Sequence, residues 1–421
     1  MGIFNKFKKS EYAKNSTILM TGTVISMVLQ SLSVLWLGKF YTADMWGINE
    51  YFCTAYSIFL IVATGRYELA IMLPKEDDDG FMVALLSAGL SVAFSLSTSA
   101  VLLVLYLFGI ELGWIIFLPP TLAILGVYYS CNYWLNRKKK YINLAINRVI
   151  QGILYVVFNF SYAFILTDKR YGLILGYMTA QAVVMVMLIV SMVIDYKKLS
   201  IKVTIHRIKE LAKEYINFPK ISSISGVINN VAVRLPVLLL GFFAGDAVVG
   251  QYAMMNRILG APITVISEAI RDVFRQKASK EYAVNNECRK TFMGTFKSLA
   301  LIAIIPFILI MIGAKPVLNL LFGDLWDMAA YFIILMAPFY YVKFIVSPLT
   351  FMTYIARRQS YDMKWQIMLC VSSTVAFYLG YVLTKDAYVM LLFYGIVQTV
   401  LYVVSFNYTK RLASGELRRD V

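Results

Sequence analysis

Three cations stand inside stretches of this sequence that are otherwise apolar: Arg234, Arg257 and Lys343. Arg234 lies 14 residues past Lys220, ~21 Å along a helix, and Arg257 lies seven residues past Gly250, ~10 Å. Lys343 is ~18 Å past Tyr331. In a ~30 Å hydrocarbon layer entered from opposite sides, the first two depths nearly coincide and the third is a little deeper. A charge at such depth is expensive unless it meets a cavity or a partner, so each is a functional candidate. Arginine offers a fork of donors matched to phosphate oxygens, so the chemistry implied is capture of a phosphate or pyrophosphate. Arg148 and Lys297 fall nearer span ends, where snorkelling accounts for them.

Each cation has polar company at helical spacing. Ser223, Gly226 and Asn230 lead to Arg234; Ala261, Thr264 and Glu268 follow Arg257; Ser347, Thr350 and Tyr354 follow Lys343. The spacing is close to i, i+4, i+7, i+11, which holds one helix face. Weaker stripes mark the first half, with Thr23, Ser26, Gln30 and Ser33 in one span and Gln151, Tyr155, Asn159 and Tyr162 in another. Together they predict a hydrated central cavity. Acids there are few: Glu268, which neutralises Arg257 or Arg271, and the shallower Glu50. The candidate binding set is Arg234, Arg257, Lys343, Asn230, Glu268 and Gln30. The lone His206 and the scattered Cys53, Cys131, Cys288 and Cys370 leave no material for a metal site or a catalytic triad. No enzyme is expected, and no cofactor; the sequence does not name a coupling ion, H+ or Na+.

The elements that hold these residues are set by composition. Hydrophobic residues make up 60% of the 421 and charged ones 15%, with mean hydropathy +0.69, far from a soluble domain. Spans are predicted near 17–40, 46–65, 81–109, 113–135, 148–166, 171–194, 219–243, 248–270, 292–314, 328–355, 363–383 and 388–407. The first, preceded by Lys6, Lys8, Lys9 and Lys14, is too long for a cleavable signal and lacks its exit motif. With the N-terminus inside, the inner segments hold 30 lysines and arginines and the outer loops 5. That split puts both termini on the cytoplasmic side. The +16 charge is therefore topology and contact with membrane lipids, not a nucleic-acid surface. Outer loops this short argue against a polymerase or glycosyltransferase with an external domain. In the longest inner loop Ile205, Ile208, Leu211, Tyr215 and Ile216 form a stripe, which reads as a helix on the inner leaflet or a partner-docking site.

An internal repeat sets the architecture. At an offset of 203, Gly22–Gly47 and Ser225–Gly250 are identical at ten of 26 positions, including Gly38/Gly241 and Gly47/Gly250. These glycines are expected at the outer turns, where positive φ ends a helix. Six spans separate the copies, so the repeat is parallel. The fold class expected is an all-α membrane protein of about 12 transmembrane helices in two parallel six-helix lobes around a central cavity. The lobes would be 1–194 and 219–410, joined by an amphipathic linker 195–218 and followed by a tail 411–421.

The stretch Gly65-Arg66-Tyr67-Glu68-Leu69-Ala70-Ile71-Met72-Leu73-Pro74, with Lys14-Asn15-Ser16 and the Leu37-Gly38…Gly47 turn, resembles the polysaccharide-transport or Wzx-type O-antigen flippase family. That family belongs to the multidrug/oligosaccharidyl-lipid/polysaccharide exporter (MOP) superfamily, beside the lipid II flippases. The resemblance implies alternating access and an undecaprenyl-pyrophosphate-linked oligosaccharide as cargo, moved from the cytoplasmic to the outer leaflet. It implies a monomer, with other glycan assembly proteins as further partners. Arg234, Arg257 and Lys343 would correspond to the family's cavity cations by position and chemistry. Arg66 and Glu68 match by motif, either closing an inner gate and anchoring its loop or touching substrate; Glu50 and Arg148 are secondary candidates. The alternatives are a multidrug exporter of the same superfamily, which would want acids in its N-terminal cavity, and a non-transporting scaffold of a glycan assembly complex.

Overall fold

A computed structural model describes residues 11–199, 202–356 and 358–417. Lys6, Lys8, Lys9 and the end of the tail lie outside these, and the side chains of the Lys14-Asn15-Ser16 start are likewise outside the description. The described residues are 89% helical and contain no strand. They form twelve rods, α1 Glu11–Leu37, α2 Ala43–Thr64, α3 Asp77–Leu107, α4 Leu118–Arg137, α5 Tyr141–Ile165 and α6 Gly172–Leu199 in the first half. In the second half come α7 Ser223–Ala244, α8 Asp246–Met255 running on through Asn256–Gly260 into Ala261–Asn285, and α9 Arg289–Phe322. They are followed by α10 Asp327–Val346, α11 Gln359–Thr384 and α12 Ala387–Ala413.

Nine described stretches are long and apolar enough to cross a membrane, and one of them, Arg289–Ile355, contains both α9 and α10. Gly323, at φ +64, makes the elbow between those two. Outward side chains such as Leu320 (85% exposed) and Leu107 (75%) make sense only against hydrocarbon. The predicted spans are all present as helices, although those near 46–65 and 248–270 fall on α2 and α8, which are not among the nine.

The chain divides into two compact units, Met1–Tyr41 with Ile48–Val231, and Thr42–Gly47 with Ala232–Val421. The division falls within α7, and the first turn of α2 belongs to the second unit.

In the first unit α1 and α5 pack closely because their contact residues are small. A Cβ on Gly22 would come within 2.7 Å of the Ala145 carbonyl oxygen, and one on Gly152 within 2.8 Å of Ser26 Oγ. The end that carries the basic loops is stitched by ion pairs. Arg137 donates to the carbonyls of Ile71 (3.1 Å), Pro74 (2.8 Å) and Glu76 (2.9 Å) and to Asp77 (3.1 Å), clamping the 71–77 loop. Lys140 and the Trp134 indole both reach the buried Asp195. The stripe of the linker helix Ile205–Glu214 is divided: Ile205 (73%) and Ile216 (38%) stay exposed, while Ile208, Leu211 and Tyr215 turn inward. The helix packs on the protein, with Leu211 1% exposed in a core that includes Tyr67, Phe81 and Met82. Arg207 grips Asp79 with two bonds (3.0 and 2.8 Å), and Tyr67 donates to the Ala212 carbonyl (2.7 Å).

In the second unit the repeat glycines do something other than the expected turn. Neither Gly47 nor Gly250 has positive φ; Gly245 (φ +87) supplies that between α7 and α8. A Cβ on Gly47 would instead lie 2.0 Å from the Asp246 carbonyl oxygen, and one on Gly250 1.8 Å from that of Ala43. Ala43 and Asp246 are themselves 203 residues apart, so the crossing of α2 and α8 is reciprocal and follows the repeat. Only a missing side chain lets two helix backbones meet this way.

Candidate functional site

The polar stripes of α1 and α5 converge on a cavity of about 300 Å³ inside the first unit. Thr23, Ser26 and Gln30 supply the α1 wall, and Arg148, Gln151 and Tyr155 the α5 wall. The hydrogen bond from Gln30 Nε2 to Ser26 Oγ (3.1 Å) orders the first of these. Four tyrosines complete the lining together with Tyr155: Tyr56 from α2, Tyr128 and Tyr129 from α4 and Tyr177 from α6. Tyr56 and Tyr177 stack at 5.3 Å. Gln181, one helical turn beyond Tyr177, adds a second amide from α6. No Asp or Glu is among the lining residues. Asn159 and Tyr162, expected on the same stripe, are not part of it. Asn159 is fully buried against Gly176, where its Nδ2 donates to the Tyr155 carbonyl.

Arg148 is the one cation of this lining. Snorkelling from a span end does not describe it: its guanidinium lies 6.0 Å from the Tyr128 ring centroid in the cavity wall. Its Nε is buried and makes no hydrogen bond, and the same is true of Gln181 Oε1. One buried donor and one buried acceptor thus remain for a ligand.

Arg66 and Glu68 sit at the turn after α2. Gly65 and Arg66 are both left-handed (φ +57 and +59), which reverses the chain into the one-turn helix Tyr67–Ala70. The Arg66 guanidinium lies over Gly226 of α7, where a Cβ would approach it to 2.6 Å, and is 3.8 Å from Glu68. Gly226 of the α7 stripe therefore seats Arg66. Burial pushes the Glu68 carboxyl above its ordinary value, against the pull of Thr64 and Arg66. Tyr129 is within electrostatic range of Arg148, Glu68 and Arg66 alike, so turn and cavity are electrically contiguous. Glu50 is buried on α2 but does not line the cavity. Asn230 and Arg234, one turn apart on α7, are half-buried, one in each unit.

In the second unit Arg257 and Lys343 are both held over aromatic faces. The Arg257 guanidinium lies 4.7 Å from the Trp46 centroid, and Lys343 Nζ is 5.4 Å from that of Tyr340 and 5.7 Å from that of Phe339. A hydrogen bond from Tyr340 to Asn256 Oδ1 (3.0 Å) ties together the rods that carry them. Arg257 belongs to a π-helical turn, Asn256–Gly260, set by Pro262, which has no N–H to give the α-helical ladder. Pro348 likewise forces the 3-10 turn Ser347–Phe351. A five-residue 3-10 turn advances the helix by about 100° more than an α-turn would. The α8 and α10 stripes therefore do not stay on single faces. Glu268 is exposed and pairs with Arg271 (3.3 Å), which decides between the two partners expected for it. Tyr354 is 44% exposed and stacks on Phe351.

This geometry, long apolar rods in two units with cations held inside them, defines a multi-pass membrane protein. Over 93% of the chain it superposes on an inward-facing multidrug resistance MATE-family transporter of the MOP superfamily (95% of that chain, TM-score 0.67, 14% identity). A lipid II flippase, MurJ, in an inward closed conformation matches 93% of the chain and 87% of its own (TM-score 0.66, 13% identity). A MOP superfamily transporter from Pyrococcus furiosus, described by a binding pocket of reverse polarity, matches 96% of both chains (TM-score 0.61, 13% identity). The fold is therefore that of the MOP superfamily. No curated protein matches the sequence. A family model described as polysaccharide biosynthesis protein matches residues 78–331, and the chain belongs to that family.

Proposed function

We propose that this transporter is a flippase for an undecaprenyl-pyrophosphate-linked oligosaccharide. It would carry the lipid-linked glycan from the cytoplasmic to the outer leaflet of a bacterial inner membrane by alternating access, for surface polysaccharide synthesis. Both termini would be cytoplasmic. Arg234, Arg257 and Lys343 would hold the pyrophosphate, while the first-unit cavity meets the sugar. The observation that carries this reading is the sign of that cavity: one guanidinium, amides and phenols, and no carboxylate in its lining. A carrier of organic cations would require the opposite charge. Membership of the polysaccharide biosynthesis family supports the same reading.

The test uses the full chain in proteoliposomes and two cargoes, a polyprenyl-pyrophosphate disaccharide and an organic cation. The expected result is movement of the lipid-linked sugar, slowed at least tenfold by Arg257→Ala, and no uptake of the cation. Uptake of the cation without movement of the lipid-linked sugar would overturn the proposal in favour of a multidrug exporter.

A further inference from the structure

The first-unit cavity has chemistry that the flippase reading does not by itself require. Its ~300 Å³ is the liquid volume of about ten waters. A single sugar ring, with about a dozen heavy atoms, fits within it. Gln30, Gln151 and Gln181 each offer a donor and an acceptor, as a ring with hydroxyls needs. The stacked Tyr56–Tyr177 pair offers phenol edges and an apolar face for the C–H side of such a ring.

A neutral sugar would leave Arg148 unanswered. Its Nε is buried without a hydrogen bond, and no carboxylate lines the cavity to balance its charge. Arg148 is half-buried with its Nε shut off from solvent, and a charge-assisted bond to an anion answers that donor more strongly than a neutral hydroxyl does. A pyrophosphate is a poor match for the same place, because it carries more charge than one arginine neutralises and the walls are otherwise uncharged. We infer that the first-unit cavity is a subsite for one sugar residue bearing a single anionic group, a carboxylate or a phosphate, bound through Arg148. This rests on the flippase reading and adds to it a selectivity for acidic glycans.

The experiment compares three polyprenyl-pyrophosphate disaccharides of equal length in proteoliposomes containing the full chain. Their terminal residues are a neutral hexose, the matching uronic acid, and the hexose phosphate. The wild type should move at least one acidic cargo at least fivefold faster than the neutral one; the arm that is faster identifies carboxylate or phosphate. Arg148→Gln should bring the acidic-to-neutral rate ratio down to about one, whatever the absolute rates, and Arg148→Lys should keep part of the preference. A monodisperse elution profile matching that of the wild type shows that the variant is folded. Equal rates for all three cargoes in the wild type would overturn the subsite but leave the flippase intact. An equal loss on every cargo in Arg148→Gln, with normal monodispersity, would also overturn it and move the pyrophosphate to Arg148. Movement of none of the cargoes by the wild type would refute the flippase reading itself.

Discussion

Substituting Gly250 by Ala places a methyl group where the closest atom is a backbone carbonyl oxygen 1.8 Å away. That atom belongs to Ala43 of α2 and has no rotamer to escape into. The two backbones must part by about 1 Å for the contact to reach 3.0 Å. A gap of that size forfeits a quarter to a half of the dispersion energy of each contact around the crossing. Trp46, fully buried beside it, is among the side chains that lose. Overpacking of this kind costs about 1–3 kcal/mol. Gly47→Ala meets the Asp246 carbonyl at 2.0 Å and should cost the same. The pair tests the reciprocity. Once either methyl has opened the crossing, the second enters space already made, so the double variant should fall short of the additive sum by about 1–2 kcal/mol. Gly89, with nothing within 4 Å of a Cβ, is the control and should be neutral or slightly stabilised as Ala. Reversible unfolding in mixed micelles, followed by tryptophan fluorescence, measures all four variants. Wild-type stability of Gly250→Ala, or strict additivity of the pair, would refute the crossing.

Arg137→Ala removes four carbonyl contacts and an ion pair from a side chain only 10% exposed, so it should destabilise the first unit by roughly 3 kcal/mol. It should also speed tryptic cleavage at Lys75 at least tenfold; an unchanged cleavage rate would show that the loop is held by other means. Docking of the linker helix should depend on acid alone. The Arg207 bond holds the Asp79 carboxyl below its ordinary value of 3.8, and Lys138 with Arg137 does the same for Asp77. Their contribution is complete above that value and is lost as pH falls through the lower folded one, so the protection factors of the 205–214 amides, taken against intrinsic exchange at each pH, should be flat from about pH 5 to 8 and fall below about 4. Arg207→Ala should lower protection between pH 5 and 8 and shrink the fall in acid, where variant and wild type converge; a fall between pH 5 and 8 in the wild type would point to a different titrating group.

Part of the site was legible in the spacing of residues along the chain. Thr23, Ser26 and Gln30 of α1 and Gln151 and Tyr155 of α5 reached the cavity as spaced, while Ser33, Asn159 and Tyr162 did not, because periodicity of 3.6 fixes a face but not how far along the helix the cavity extends. The α8 and α10 stripes misled for a different reason. Pro262 and Pro348 were in plain view, yet their effect on helical phase depends on whether the chain kinks, tightens or widens, which neighbouring rods decide. Tyr128, Tyr129, Tyr177 and Gln181 escaped because aromatic and amide residues scattered through apolar spans carry no local sign of what they face. Arg148 was visible, but its distance from a helix end could not say whether it reached outward or inward.

What the sequence determined by itself is therefore what local chemistry and length can settle: helices throughout, about twelve spans, the parallel repeat, and a resemblance that the polysaccharide biosynthesis match supports. Hydrocarbon demands that each span satisfy its own backbone hydrogen bonds, so a run of apolar residues suffices to specify it. The tertiary structure decided which faces meet. Gly47 and Gly250 read as turn glycines until α2 and α8 were brought within backbone contact, and Arg137 read as one more basic-loop charge until the 71–77 carbonyls turned toward it. Such contacts join residues 60 to 200 positions apart. Inside a membrane, packing selects them by fit rather than by polarity, and fit leaves no local pattern in the chain.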